Sequence, residues 1–237
     1  MHRRGKTFRA RKYQGDDTLC DEMNGLSEML ASLPWRHAVF ASSGSVYEAV
    51  SSGIRLDEAS ALAKSPYALS KLASERHFIS NGGTVLRLTN LIGEGMSDET
   101  IVGDIMKMAM LDHNVGQASP DGSDKQSVSI RLRDCSAVLD LLGVEAAAAA
   151  FRKVLISPEA MGRTLNIGSG RAVTARKLIQ IIICRLGKRL RTAISTTDEK
   201  NLGIVLDTRL AENFLGWRPE VTLEAALATF IPDKSDS

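Results

Sequence analysis

The sequence predicts an α/β fold built on a parallel sheet, and three observations carry that reading. Two short apolar runs, Ala38-Val39-Phe40-Ala41 and Thr84-Val85-Leu86-Arg87-Leu88, each follow a stretch with helical features. The order is therefore helix, strand, loop, helix, strand, the rhythm of parallel strands joined by helical crossovers. The chain has 237 residues, 43% of them hydrophobic. That is enough to bury a sizeable core in one large domain or two small ones.

Taken in order, Leu19, Met23, Leu26, Met29, Leu30 and Leu33 recur at helical spacing, and Pro34 closes that helix. The run at 38–41 reads as a buried strand entering the turn Ser42-Ser43-Gly44-Ser45. Ser65-Pro66 supplies an N-cap and a proline at the first helical position. The helix it opens runs to about His77, and Asn81-Gly82-Gly83 breaks it before the strand at 84–88. Further on, 101–111 is helical in pattern, 114–126 is a polar loop and 128–132 a strand. Residues 133–152, with their alanine-rich run, read as one long helix. Thr164-Leu165-Asn166-Ile167 is a short strand ending at Gly168-Ser169-Gly170, and Thr174 caps a helix ending near Gly187.

Composition excludes several classes. With 24% charged residues the chain is neither disordered nor collagenous. Cys20, Cys135 and Cys184 are too scattered for a zinc site and too few for a disulfide framework, which fits a reducing, cytoplasmic setting. His2, His37, His77 and His113 show no metal-ligand spacing, so no metal is expected. The most apolar run, 178–186, is interrupted by Gln180 and Arg185 and is too short to span a bilayer, so no membrane partner is expected. The formal charge of +2 hides an asymmetry, because six cations lie in the first twelve residues. Without them the chain holds 24 basic and 28 acidic side chains. Residues 1–17 therefore read as a poorly ordered basic tail. Its one aromatic before Tyr13 is Phe8, so nucleic acid is a poor candidate partner.

The chemistry-bearing pair is Tyr67 and Lys71, at i and i+4 on one helix face. An ammonium near a phenol stabilises the phenolate and moves its pKa from about 10 toward neutrality, making a usable acid/base. Ser43 sits at the C-terminal end of a predicted strand, where open parallel sheets place their ligands. There it can hydrogen-bond the oxygen whose proton Tyr67 moves. Ordinary turn chemistry accounts equally well for Ser42, Ser43 and Ser45 on spacing alone. A serine hydrolase using Ser43 with His37 or His77 lacks the G-x-S-x-G elbow.

Three segments fall in order: Ala41-Ser42-Ser43-Gly44-Ser45-Val46-Tyr47, Ser65-Pro66-Tyr67-Ala68-Leu69-Ser70-Lys71 and Leu86-Arg87-Leu88-Thr89-Asn90. They resemble the extended short-chain dehydrogenase/reductases, and more narrowly the NAD-dependent epimerase/dehydratase family that acts on sugar nucleotides. Arg133-Asp134, matching an Asp that opens a helix, and Leu165-Asn166-Ile167-Gly168-Ser169-Gly170 extend the resemblance, as do Met23-Asn24-Gly25 and Leu215-Gly216-Trp217-Arg218-Pro219. It covers about 18–230. The implied fold is an incomplete Rossmann-like parallel sheet with helices on both faces plus a smaller mixed α/β substrate lobe. Its implied boundaries are a tail at 1–17, the C-terminal part of a dinucleotide-binding domain at 18–92, and a substrate lobe interleaved with the sheet at 93–237.

The resemblance implies roles. Ser43 and Tyr67 are catalytic, and Lys71 both tunes Tyr67 and binds the nicotinamide ribose of NAD or NADP. Ser42 lines the nicotinamide pocket, while Ser45 and Asn90 contact a nucleotide-sugar substrate. A homodimer through helices that include the Tyr67 helix is also implied. Glu48 stands where the family usually has Gly, and Leu91-Ile92-Gly93-Glu94-Gly95 lacks the usual Tyr and Pro.

The largest departure is at the start. Residues 1–40 contain only Gly5, Gly15 and Gly25, and no strand precedes Ala38, so no glycine loop can hold a pyrophosphate. The expectation is an NAD(P)-dependent sugar-nucleotide epimerase, dehydratase or reductase impaired by a missing cofactor half. The alternative is a non-catalytic remnant that binds a nucleotide sugar or a protein partner.

Overall fold

The computed structural model of the chain describes residues 17–51, 53–111 and 127–231. The basic segment 1–16 and the expected polar loop at 114–126 lie outside the described residues, as do His2, His113 and the side chain of Cys20.

Helix α1 spans Asp17–Ala31 and strand β1 Val39–Ser43. A single 3-10 turn, Gly44–Val46, leads to β2, Val50–Ser51. Helix α2, Pro66–Ser80, begins as its sequence requires, with the Ser65 hydroxyl accepting the Ala68 N–H. Then come β3 (Thr84–Leu88), β4 (Asn90–Ile92), α3 (Ile101–Leu111) and β5 (Ser127–Leu132). Strands β6 (Val138–Leu139) and β7 (Leu141–Gly143) precede α4 (Val144–Leu155). The remainder holds β8 (Thr164–Ile167), β9 (Val173–Thr174), α5 (Ala175–Arg185) and β10 (Arg189–Ser195). It closes with β11 (Leu202–Gly203), α6 (Arg209–Leu215) and α7 (Leu223–Ala228).

One expected element is wrong. Residues 133–152 do not form a single helix, and Asp134 does not open one. Asp134 closes a turn, its Oδ1 accepting the Ser136 N–H at 2.8 Å and the Ser136 hydroxyl at 2.7 Å. Val138, Leu141 and Leu142 are then buried in β6 and β7, which pair with β9, β11 and β4. Alanine propensity governs only the part after Gly143. Before it, burial of the Val138-Leu139 and Leu141-Leu142 pairs between neighbouring strands outweighs the helical preference.

Strands β1, β3 and β8 make a three-stranded parallel sheet in the order β1-β3-β8, with Ser43 beside Leu88 and Leu88 beside Ile167. Successive side chains on a strand face opposite ways, and β3 uses both faces. Val85 packs with Phe78 and Ala31 under α1 and α2, while Leu86 packs with Ala146, Ala150, Leu165 and Trp217 under α4 and α6. Helices thus cover both faces of a Rossmann-type sheet. A second core joins α3, α5, β5 and β7 through Ile105, Ile130, Leu141, Leu178 and Ile182. The parallel pairing of β4 with β7, Asn90 beside Leu141, carries the chain from the central strand β3 into this smaller mixed lobe. Among the described residues no helix is long and apolar enough to cross a membrane.

Candidate active site

The alternation of side chains on β1 decides which serine does what. Phe40 and Ser42 face α2, where Phe40 stacks on Phe78 with ring centroids 4.9 Å apart. Ser43 faces the other way. Ser42 is 5% exposed and donates to Glu75 Oε1 at 2.5 Å, so it lies outside the cavity that Ser43 lines. The resemblance gives Ser42 to the nicotinamide pocket; its hydroxyl here is engaged by Glu75, on the other side of β1 from Ser43.

The other expected substrate-side residues converge. Ser43, Ser45, Tyr67 and Asn90 line one cavity of about 430 Å³, just past the C-terminal ends of β1 and β3. Ser43 caps the 3-10 turn, and its hydroxyl accepts the Ser45 N–H at 3.2 Å and the Ser45 hydroxyl at 2.9 Å. Asn90 reaches the Asp140 carbonyl at 3.3 Å, and Thr89 donates to the same oxygen at 2.7 Å. Lys71 does not line the cavity. Its ammonium lies 5.8 Å from the Tyr67 ring centroid and 4.8 Å from that of Phe40, and donates to the Ala41 carbonyl at 3.1 Å. Burial pushes its pKa below the ordinary value, and the Glu75 charge pulls it back up. The Lys71 cation thus lies near the face of the Tyr67 ring.

The hydrolase pairing of Ser43 with His37 fails on geometry. His37 precedes β1, bonded to Thr84 Oγ1 at 2.8 Å. It is roughly 20 Å from Ser43 along extended chain.

A buried polar network beneath the cavity was missed from the sequence. Arg87 on β3 binds Glu75 on α2 in a forked pair, with Nη2 to Oε2 at 2.7 Å and Nε to Oε1 at 3.0 Å. Its Nη1 donates to the Tyr47 hydroxyl at 3.0 Å and the Glu58 carbonyl at 2.8 Å. Tyr47 donates onward to Asn166 Oδ1 at 2.6 Å. Burial works against the Arg87 cation, but Glu75 and Tyr47 together more than offset it and its pKa rises. One signal was available: Arg87 is a lone charge inside the apolar run Thr-Val-Leu-Arg-Leu, and such a charge needs a buried partner. The acid at i+4 from Lys71 is that partner.

Burial raises the Tyr47 pKa to about 12, against the pull of Arg87. The folded protein therefore holds the Tyr47 proton where the unfolded chain, at about 10, loses it. Stability from this group is fully present below pH 10 and is lost as pH rises through 12, by roughly 2–3 kcal/mol. Urea titrations at pH 9 and pH 11.5 should show the loss, and Tyr47→Phe should flatten it.

A sequence model of the NAD dependent epimerase/dehydratase family matches residues 5–168. The chain belongs to that family. Among curated relatives, it is 30% identical over 202 residues to the dTDP-4-dehydro-6-deoxyglucose reductase of Escherichia coli, covering 81% of this chain and 60% of that enzyme. It is also 30% identical over 153 residues to the dTDP-6-deoxy-L-talose 4-dehydrogenase (NAD(P)(+)) of Kitasatospora kifunensis, covering 61% of this chain and 44% of the relative. The chain thus spans less than two thirds of either. The fold is shared with a dTDP-glucose 4,6-dehydratase from Streptomyces venezuelae with NAD bound (TM-score 0.75, 21% identity, 97% of this chain and 70% of that one). It is shared too with a UDP-glucose 4-epimerase from Thermotoga maritima with UDP-glucose (TM-score 0.74, 19% identity, 93% and 71%).

Members of this NAD-dependent family need a place for a dinucleotide, and Tyr67, Lys71 and Ser43 are the residues the sequence resemblance assigns to its nicotinamide ribose and the reacting oxygen. A pyrophosphate needs free backbone N–H groups at a strand-to-helix turn. The turn after β1 has the single glycine Gly44, and a Cβ there would meet the Leu88 carbonyl at 3.3 Å. The Gly168-Ser169-Gly170 turn after β8 has its N–H groups engaged by the buried Asp140 carboxylate, Ser169 at 2.8 Å and Gly170 at 3.2 Å. Those N–H groups are therefore not free to hold a pyrophosphate.

Proposed function

We propose that this chain binds a nucleotide-linked hexose and carries the proton-transfer apparatus of a sugar-nucleotide epimerase, dehydratase or reductase. The observation that supports it best is the convergence of Ser43, Ser45, Tyr67 and Asn90 on one cavity with the Lys71 ammonium behind the Tyr67 ring. Ser43 hydrogen-bonds the sugar oxygen that reacts. Tyr67 takes or gives the proton on that oxygen, and Lys71 stabilises the phenolate between the two. Asn90, held by the Asp140 carbonyl, orients the sugar. When bound, NAD or NADP supplies the hydride acceptor or donor. The relatives' names place their chemistry at C4 of a dTDP-linked sugar, and we extend that position to this chain.

With millimolar NAD(P) or its reduced form and a panel of UDP- and dTDP-hexoses, slow conversion of the sugar nucleotide, read by chromatography of the products, is the expected result, with a net absorbance change at 340 nm for a reductase alone. Titration calorimetry should find NAD(P) binding weaker than low-micromolar, because the described residues engage only its nicotinamide end. Low-micromolar affinity would overturn that half of the proposal. A second reading, sugar-nucleotide binding without turnover, draws support from the engaged Gly168-Ser169-Gly170 turn. It predicts binding of the hexose nucleotide with no converted sugar nucleotide at any cofactor concentration. The homodimer expected from the sequence draws support from Leu26, Met29 and Leu69, exposed on α1 and α2.

A further inference from the structure

A second cleft, of about 290 Å³, shares Leu141 with the sugar cavity and is otherwise built from different residues. Val173 of β9, Ile181 of α5 and Leu223 of α7 line it beside Leu141, and all four pack into the core of the smaller lobe. Its apolar part is therefore held in place by the fold. Charge reaches it from three elements: Arg171 in the turn before β9, Lys177 in the first turn of α5 and Glu224 in the first turn of α7. All three are exposed. Neighbouring charges are paired, Arg176 with Glu199 and Arg218 with Glu212. Among the described residues Arg171, Lys177 and Glu224 form no ion pair.

The lining selects against several ligand classes. Dinucleotides and nucleotide sugars are too large, since drug-sized ligands already fill pockets of roughly 300 Å³ or more. A free sugar needs hydrogen-bond partners around its ring. The one hydroxyl in the lining, that of Ser169, is committed: it donates to Asp140 Oδ1 at 2.6 Å and accepts the Arg171 N–H at 3.1 Å. Phosphate or a small dicarboxylate meets two cations but also the Glu224 carboxylate, and it brings no apolar body to the floor. A molecule with one carboxylate, one ammonium and an aliphatic or aromatic branch uses every feature. Its carboxylate meets Arg171 and Lys177, its ammonium meets Glu224, and its branch covers Leu141, Val173, Ile181 and Leu223.

We propose that this cleft binds a free apolar α-amino acid, at a site separate from the sugar cavity. The site stands on its own lining and does not depend on the nucleotide-sugar reading above.

The test is NMR titration of the full, isotopically labelled chain with L-leucine and with three probes that each lack one feature. These are 4-methylpentanoate, without the ammonium, 3-methylbutylamine, without the carboxylate, and glycine, without the branch. Leucine should give saturable shifts at the Val173, Lys177 and Leu223 amides with a Kd of about 1 mM or tighter, and each probe should bind at least tenfold more weakly. No saturable shift at these amides, or a probe that binds as well as leucine, overturns the proposal. Glu224→Gln should bring leucine and 4-methylpentanoate within about threefold of each other, and Arg171→Gln with Lys177→Gln should do the same for leucine and 3-methylbutylamine. Because the three side chains are exposed and unpaired, these variants should keep the unfolding midpoint of the unaltered chain. A preference that survives its variant overturns the assignment. Displacement of leucine by dTDP-glucose also overturns it, by placing leucine in the sugar cavity.

Discussion

Glu75→Ala should lower the unfolding free energy by about 3–5 kcal/mol, a large share of what a domain of this size has to lose. The Arg87 and Glu75 side chains are only 7% and 6% exposed, so the variant leaves a guanidinium in the interior with no counter-charge. The loss is not local. Glu75 also accepts from Ser42, and Arg87 holds Tyr47 and the Glu58 carbonyl, so the change loosens β1, α2, β3 and the Tyr47–Asn166 contact together. Glu75→Gln keeps an acceptor and should cost less. Glu75→Met with Arg87→Met should recover much of the loss, because removing both charges removes the stranded one. Urea midpoints for the set measure this directly. A Glu75→Ala loss below about 1 kcal/mol would mean that the pair is solvated and that the network does not organise the site.

The second large effect is on turnover. Tyr67→Phe should reduce the rate about 10²- to 10⁴-fold, the usual worth of a positioned acid/base, while the affinity for a dTDP-hexose stays within about threefold. The ring and its contact with Lys71 remain, and only the proton-carrying oxygen is lost. Lys71→Met should act through the same group. Without the ammonium the phenolate is less stable, so the pH–rate profile moves to more alkaline pH rather than simply shrinking. A rate within tenfold of the unaltered chain for Tyr67→Phe would remove Tyr67 from the acid/base role.

Much of the molecule was legible from local chemistry. The Ser65-Pro66 start, the strand at 84–88 and the Thr174 cap all appear where the sequence puts them, because each is set by capping or by short-range apolar pattern. The helix expected over 133–152 failed where the pattern was ambiguous. A run such as Val138-Leu139-Asp140-Leu141-Leu142 suits a helix or two short strands, and only the partners β4, β9 and β11 choose between them. Asp140 shows the same limit. Its carboxylate accepts from Ser169, Gly170 and Leu206, three groups 29 to 66 residues away, and burial raises its pKa against those bonds. Nothing near it in the chain announces that role.

The sequence by itself determined the candidates: Tyr67 and Lys71 one helical turn apart, Ser43 at a strand end, Asn90 just past the next strand. These relations are fixed by the geometry of a single element and need no partner. Tertiary structure decided which of them share a cavity and turned Ser42 to the opposite face onto Glu75. Those outcomes depend on which strands pair and which helices cover them, and pairing across 45 or more residues leaves no mark on local spacing.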